Sequence, residues 1–171
     1  GKPHAEREAL LSCKQDPAGA TLYVTLEPCC HQGKTPPCTD AVIGSGIRRV
    51  VVGAKDPNPL VAGHGITQLK NAGITVTTGV LEKECEAQNR FFIHYITHKT
   101  PYVTMKYAMT ADGKIAAYTG LSKWITGPAA REHVQRSRHG HQGVMVGIGT
   151  VLADNPSLEC RMAGGRNPVR I

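Results

Sequence analysis

The sequence predicts an α/β fold: a three-layer α/β/α domain over residues 1–98, followed over 99–171 by the opening part of a second α/β domain. Three observations carry this. Strand-like runs alternate with helix-forming segments, the pattern of a mostly parallel sheet covered on both faces. The run RVVVGA at 49–54 is continuously apolar rather than alternating, which marks a strand buried on both sides. After His98-Lys99-Thr100-Pro101 the pattern restarts, which sets the domain boundary.

The elements follow in order. Residues 5–13 (AEREALLSC) are helix formers with apolar positions at Ala9, Leu10 and Cys13, so a short helix starts at or just after His4. Asp16-Pro17-Ala18-Gly19 is a turn, and TLYVTL at 21–26 is a strand by propensity and punctuation, running straight into a cysteine loop. Residues 37–46 (PCTDAVIGSG) read as a helix opened by proline and closed by glycine, which places Cys38 in its first turn. The strand at 49–54 ends in Asp56-Pro57-Asn58-Pro59, at the strand end where open α/β sheets bind ligands. A helix at 66–71, a strand at 74–78 and one longer helix over 80–98 complete the first domain, the last with Leu81, Cys85, Phe92 and Ile96 on its buried side. In the second part, 102–108 (YVTMKYA) reads as a strand and the turn at 111–114 (ADGK) leads into a short apolar run. A helix over 128–138, a buried strand at 143–147 and the start of an unpartnered strand at 168–171 follow.

Composition narrows the function. With 40% hydrophobic and 19% charged residues the chain reads as a soluble globular protein, and no apolar run is long enough for a bilayer. The net charge of +7 favours an anionic partner, but the basic residues are scattered, densest only at 131–138, so a phosphorylated metabolite satisfies it as well as nucleic acid does. Aromatic residues make up 5% of the chain, few for base stacking, and the reading expects neither a nucleic-acid nor a membrane partner. Three of the six cysteines, Cys29, Cys30 and Cys38, fall within ten residues, which suits a metal better than a disulfide framework and fits a cytoplasmic protein. The chain opens on Gly1, three residues before a catalytic-looking triplet, and reads as a fragment.

That triplet, His4-Ala5-Glu6, and the stretch TLEPCCHQGKTPPC at 25–38 form the chemical centre of the sequence. Zinc accepts nitrogen and sulfur ligands in a tetrahedron, and a catalytic site keeps one position for water; His4, Cys29 and Cys38 supply three donors and leave the fourth open. Pro28 holds Glu27 extended, so the strand delivers Cys29 at its end, and Cys38 returns at a helix start that favours thiolate. For Glu6 to share a water with the metal, His4 must stand at the helix edge rather than within it. A non-ligand glutamate there suits proton transfer in hydrolytic deamination of a ring. Cys30 is expected to point away from the metal. Two rival readings are an editing deaminase acting on tRNA or DNA, and a structural zinc module closed by Cys30 or His31 in which Glu6 is dispensable.

The motifs HAE, TLEPCCHQGKTPPC, DPNPLVAGHGI, KYAMTADGKIA, SKWIT and VGIGTVLADNPSL, in this order, resemble the bifunctional riboflavin-biosynthesis deaminase-reductases of bacteria. The resemblance covers essentially the whole chain. Nucleoside and nucleic-acid deaminases usually place two residues between their cysteines, whereas eight intervene here, among them His31, Lys34 and Thr35. It implies a cytidine-deaminase-like domain followed by a truncated dihydrofolate-reductase-like domain. Two reactions are implied: hydrolysis of the amino group of a diaminopyrimidinone ribosylamino 5′-phosphate, then NADPH-dependent reduction of the ribosyl group to ribityl. In these terms His4, Cys29 and Cys38 bind zinc, Glu6 shuttles the proton, and His31, Lys34 and Asn58 line the pyrimidine and phosphate pocket. Ala108, Trp124, Thr150 and Asp154 fall on the NADPH side of the reductase, Ser122, Arg138, Leu158 and Arg161 on its substrate side, with Lys106 and Asp112 facing the same cleft. No glycine-rich dinucleotide fingerprint is present, so NADPH rests on the resemblance alone. It also implies pocket elements upstream of Gly1 and further reductase elements beyond Ile171, and a homo-oligomer at full length. The expectation is that these 171 residues alone neither turn over NADPH nor fold their second half stably.

Overall fold

The structure, a computed structural model, describes residues 2–171, which group into two units divided between Thr104 and Met105. In the first, β1 (Thr21–Leu26), β2 (Arg49–Ala54) and β3 (Thr75–Thr78) form a parallel sheet in that order, with Thr21 opposite Arg49 and Arg49 opposite Thr75. Five helices accompany it: α1 (Ala5–Ser12), α2 (Cys38–Gly44), α3 (His64–Asn71), α4 (Glu82–Gln88) and α5 (Arg90–His98).

The continuous apolar run of β2 does what it predicts. Val50 and Val52 point to one face and pack with Val42 of α2, Leu69 of α3, Ile47 and Ile74, and Leu22, Val24 and Val76 complete this core from the flanking strands. On the other face Gly53 lies against α4, where a Cβ would stand 2.3 Å from Cys85 Sγ; only glycine lets that helix approach. The sheet is therefore covered on both sides, a three-layer α/β/α arrangement. Because all three strands are parallel, the segments that leave them, 27–38 after β1 and 55–63 after β2, emerge at one edge.

Two expectations for this unit need correction. The single helix over 80–98 is two, α4 and α5, broken at Asn89, whose Nδ2 donates to Cys85 O (2.8 Å) and Thr25 Oγ1 (3.4 Å); a side chain that bonds nearby backbone competes with helix continuation. Of the residues assigned to its buried side, Cys85 and Ile96 are half-buried, but Leu81 is 66% exposed and adopts a left-handed φ of 52° ahead of α4, and Phe92 is 38% exposed.

The second unit contains α6 (Pro128–Gly140), β4 (Gly143–Val144), α7 (Ile148–Asp154) and β5 (Val169–Arg170). The predicted strand over 102–108 is irregular, with Val103, Met105 and Tyr107 exposed: β propensity without a neighbouring ladder does not make a strand. The apolar run after Gly113 is likewise irregular. The segment expected to end unpartnered has a partner: Val169 N donates to Gln142 O and Ile171 N to Val144 O, making β5 parallel to β4. The helix α7 is an addition to the predicted elements. Only Cys160 and Pro168 are buried among the described residues of this unit.

Candidate metal centre

Three elements bring the predicted donors together. His4 is the N-cap of α1, extended at φ −71°, ψ 161°, so its ring leaves the helix edge as the chemistry requires. Cys29 stands three residues past the end of β1, directly after the buried Pro28, and Cys38 is the first residue of α2 and fully buried. His4 Nδ1 lies 3.4 Å from Cys29 Sγ and 3.5 Å from Cys38 Sγ, and all three donor atoms lie within 4.8 Å of one another.

These spacings fit zinc. Metal–sulfur and metal–nitrogen bonds of about 2.3 and 2.05 Å at a tetrahedral angle place the two donors about 3.6 Å apart. An imidazole with two thiols is also a donor set that a soft, borderline metal takes. Around the donors, the Cys38 backbone N–H points at Cys29 Sγ (3.4 Å), and the Thr35 hydroxyl stands 3.5 Å from His4 Nε2, the ring nitrogen turned away from the sulfurs. Such outer contacts orient ligands and select the His tautomer.

Glu6, half-buried on α1, lies against the Cys38 thiol. Without a cation that thiol is pushed well above its ordinary value, first by burial, then by the Glu6 carboxylate and by Cys29. A cation at the three donors removes that conflict, since a ligating thiol is deprotonated outright. Cys30 stands apart from the cluster: its Sγ faces Leu60 O at 3.8 Å, and burial followed by the Glu27 charge pushes its thiol up. His31 is not among the grouped donors either, so neither residue proposed to close a structural site does so.

The remaining residues of the predicted deaminase pocket lie on the two loops at the same sheet edge. His31 is half-buried, with Nδ1 buried and without a hydrogen-bond partner among the described residues. Lys34 is exposed. Asn58 donates its backbone N–H to Asp56 Oδ1 (2.8 Å) and accepts from Leu60 N at Oδ1 (3.2 Å).

In the second unit the predicted residues are dispersed. Lys106 and Ala108 line a groove with Thr126, Ala130 and His133. Trp124 is exposed with the Arg131 guanidinium 4.4 Å over its ring, and Thr150 and Asp154 lie on α7. Ser122 is exposed, and Asp112 accepts from Thr110 Oγ1 within its turn. Arg138 donates to Glu159 O (2.7 Å), Leu158 is held at a left-handed φ of 56°, and Arg161 N donates to Gln135 Oε1 (2.9 Å).

Three residues that build the centre are absent from the sequence-based assignment. Arg7 on α1 donates to Pro37 O (2.9 Å), tying the helix of His4 and Glu6 to the start of α2. Thr35 faces His4 as described. Glu27, only 3% exposed, accepts backbone N–H groups from three other positions. A glutamate at the end of an apolar strand had to find such partners, because a buried carboxylate without them is too costly; that was the available signal.

Comparison with known proteins agrees with this geometry. The cytidine and deoxycytidylate deaminase zinc-binding region matches residues 1–54, and the RibD C-terminal domain matches residues 101–171. Riboflavin biosynthesis protein RibD of Actinobacillus pleuropneumoniae is 61% identical over 168 residues, 98% of this chain and 45% of its own length. That of Bacillus amyloliquefaciens is 52% identical over 172 residues, 100% of this chain and 46% of its own. Among solved structures, a diaminohydroxyphosphoribosylaminopyrimidine deaminase/5-amino-6-(5-phosphoribosylamino)uracil reductase from Thermotoga maritima has a TM-score of 0.91 at 54% identity, over 99% of this chain and 49% of that one. The chain spans about half the length of the curated relatives it matches.

Proposed function

The chain belongs to the RibD family of riboflavin biosynthesis proteins, and on that premise we propose that its first unit catalyses the hydrolytic deamination of 2,5-diamino-6-ribosylamino-4(3H)-pyrimidinone 5′-phosphate. The observation that carries this is the convergence of His4 Nδ1, Cys29 Sγ and Cys38 Sγ with the Glu6 carboxylate alongside. Zinc, when bound, supplies the polarisation that lets water react at neutral pH.

The rest is the work of this chain's residues. His4, Cys29 and Cys38 hold the cation from three different elements, so its place is fixed by the fold. Glu6 takes a proton from the attacking water at its carboxylate and returns it to the departing amino nitrogen; the C–N bond breaks, ammonia leaves, and the second water proton passes from the new hydroxyl to the adjacent ring nitrogen as the carbonyl forms. The Asn58 side chain, turned by its bond to Leu60 N, and His31 contact the pyrimidine, and Lys34 on its exposed loop meets the phosphate.

The second unit supplies part of an NADPH-dependent reductase that converts the ribosyl group to ribityl. Ala108, Trp124, Thr150 and Asp154 serve the cofactor. Ser122, Arg138, Leu158 and Arg161 serve the substrate, an arginine fork being suited to its phosphate. Lys106 and Asp112 face the same cleft. The net charge of +7 fits a phosphorylated small molecule, and the reading places the enzyme in the cytoplasm as a homo-oligomer without a nucleic-acid partner. No helix among the described residues is long and apolar enough to cross a membrane.

The test is ammonia release from the diaminopyrimidine phosphate by the zinc-loaded full chain that carries these residues. Glu6→Gln is expected to keep its zinc and lose roughly a hundred- to ten-thousand-fold in rate. Undiminished release from that variant refutes the role of Glu6, and a wild-type chain that releases no ammonia refutes the deaminase reading.

A further inference from the structure

The buried Glu27 carboxylate accepts backbone N–H groups from three residues of the first unit. Glu27 is 3% exposed, yet no cation among the described residues forms an ion pair with it; its charge is met by backbone N–H groups. Gly63 N donates to both carboxylate oxygens at 3.0 Å, Ile66 N to Oε1 at 3.0 Å and Asp56 N to Oε2 at 3.3 Å. Its own N–H is fixed to Ala54 O (3.0 Å). The donors span the whole loop between β2 and α3 and the first turn of that helix, whose positive end favours the carboxylate.

Two further contacts place this loop against the metal-bearing segment. A Cβ on Gly65 would stand 2.2 Å from Pro28 O, so the first turn of α3 rests directly on the residue before Cys29. Asp56, whose N–H Glu27 holds, in turn accepts the N–H of Asn58 at 2.8 Å. Two bonds thus connect Glu27 to Asn58, and a single residue, Pro28, separates it from Cys29.

We propose that Glu27 is a positioning residue for the deamination: its carboxylate fastens the loop carrying Asn58 to the strand end carrying Cys29, and so sets where the substrate loop stands relative to the metal centre. This rests on the deaminase reading above, in which Asn58 contacts the pyrimidine. Glu27 touches neither substrate nor metal in this role. It acts through Asp56 and Asn58.

The test compares wild type, Glu27→Gln, Asn58→Ala and the double variant in the zinc-loaded full chain, with zinc content, KM and kcat measured for the diaminopyrimidine phosphate. Glu27→Gln keeps the shape but turns an amide N–H₂ toward backbone donors. The expectation is one zinc per chain, KM raised about tenfold and kcat within about threefold of wild type. In the Asn58→Ala background the same change is expected to move KM by less than about twofold, because the path it acts through is already broken. A role in stability alone would lower the melting temperature and leave KM of the folded enzyme in place. An unchanged KM in folded, zinc-loaded Glu27→Gln, or fully additive effects in the double variant, overturns the proposal. Should the amide variant not fold, Glu27→Asp, which withdraws the carboxylate by one methylene, is read by the same criteria. A wild type without ammonia release counts against the reaction itself, whereas an active wild type with an indifferent Glu27 counts against this role only.

Discussion

Replacing Gly65 by alanine probes the contact on which the arrangement of the metal centre depends. The new Cβ would meet Pro28 O at 2.2 Å and Glu27 Oε1 at 3.2 Å. A carbon and an oxygen rest about 3.2 Å or more apart, so the first turn of α3 has to withdraw by about 1 Å. The hydrogen bonds from Gly63 N and Ile66 N to Glu27, each 3.0 Å, then stretch toward 4 Å, which is no longer a hydrogen bond. Overpacking costs about 1–3 kcal/mol, and each weakened bond to a carboxylate up to about 1.5–3 kcal/mol more. Against this, alanine gains at most about 1 kcal/mol over glycine in a helix. The net is a destabilisation of at least about 3 kcal/mol, or roughly 10–20 °C in melting temperature for a domain of this size. Gly44 in α2, where an added Cβ would have nothing within 4 Å, is the internal control, and Gly44→Ala is expected to be neutral or stabilising. Urea and thermal unfolding followed by circular dichroism, at fixed free zinc, read the difference. A Gly65→Ala variant within about 0.5 kcal/mol of wild type would refute the close-contact argument.

Zinc removal should act first on α1, which has no fully buried residue and is tied to the rest by His4, by the Arg7 bond to Pro37 O and by the half-buried Leu10 against the core. Chelation is therefore expected to speed amide exchange at residues 8–12 well before the β2 amides, and uniform acceleration across the unit would contradict this. Asp56 gives a pH dependence. Burial, with a smaller contribution from Glu27, raises its carboxyl above the ordinary carboxylate value, so the native state holds that proton more tightly than the unfolded chain does. The resulting penalty is absent below the ordinary value, grows as pH rises from there, and is complete above the raised value. Asp56→Asn keeps an oxygen for Asn58 N and removes the penalty. Its denaturation midpoint relative to wild type should be more favourable at about pH 7 than at about pH 4, and a pH-independent difference would refute it.

The first unit was legible because its signals are local. The apolar run of β2, the Pro28 and Pro37 punctuation and the extended entry at His4 each decide their own neighbourhood, and the parallel sheet then gathers the ends at one edge. Where a single side chain redirects the backbone, as Asn89 does between α4 and α5, helical propensity over 80–98 had no means of signalling it. The second unit depends on non-local pairing, which local propensity does not report. Residues 102–108 have strand propensity and no ladder, while the short Val169–Arg170 segment has a ladder that its length does not announce.

The same distinction explains why the ligands are legible in the sequence and their supports are not. His4, Cys29 and Cys38 are residue types that metal chemistry demands, so type and spacing identify them. Glu27 and Arg7 act through backbone atoms that any sequence possesses, N–H groups for the first and the Pro37 carbonyl for the second, and Thr35 meets the far side of the His4 imidazole. Nothing in the sequence labels those partners, because they become partners only once β1, β2 and α3 are folded together. The sharpest available sign is therefore negative: a carboxylate placed where the strand end must be buried, with no lysine or arginine within six residues on either side to meet it, obliges the fold to meet it with the backbone. In this chain the backbone that answers belongs to the loop that carries Asn58.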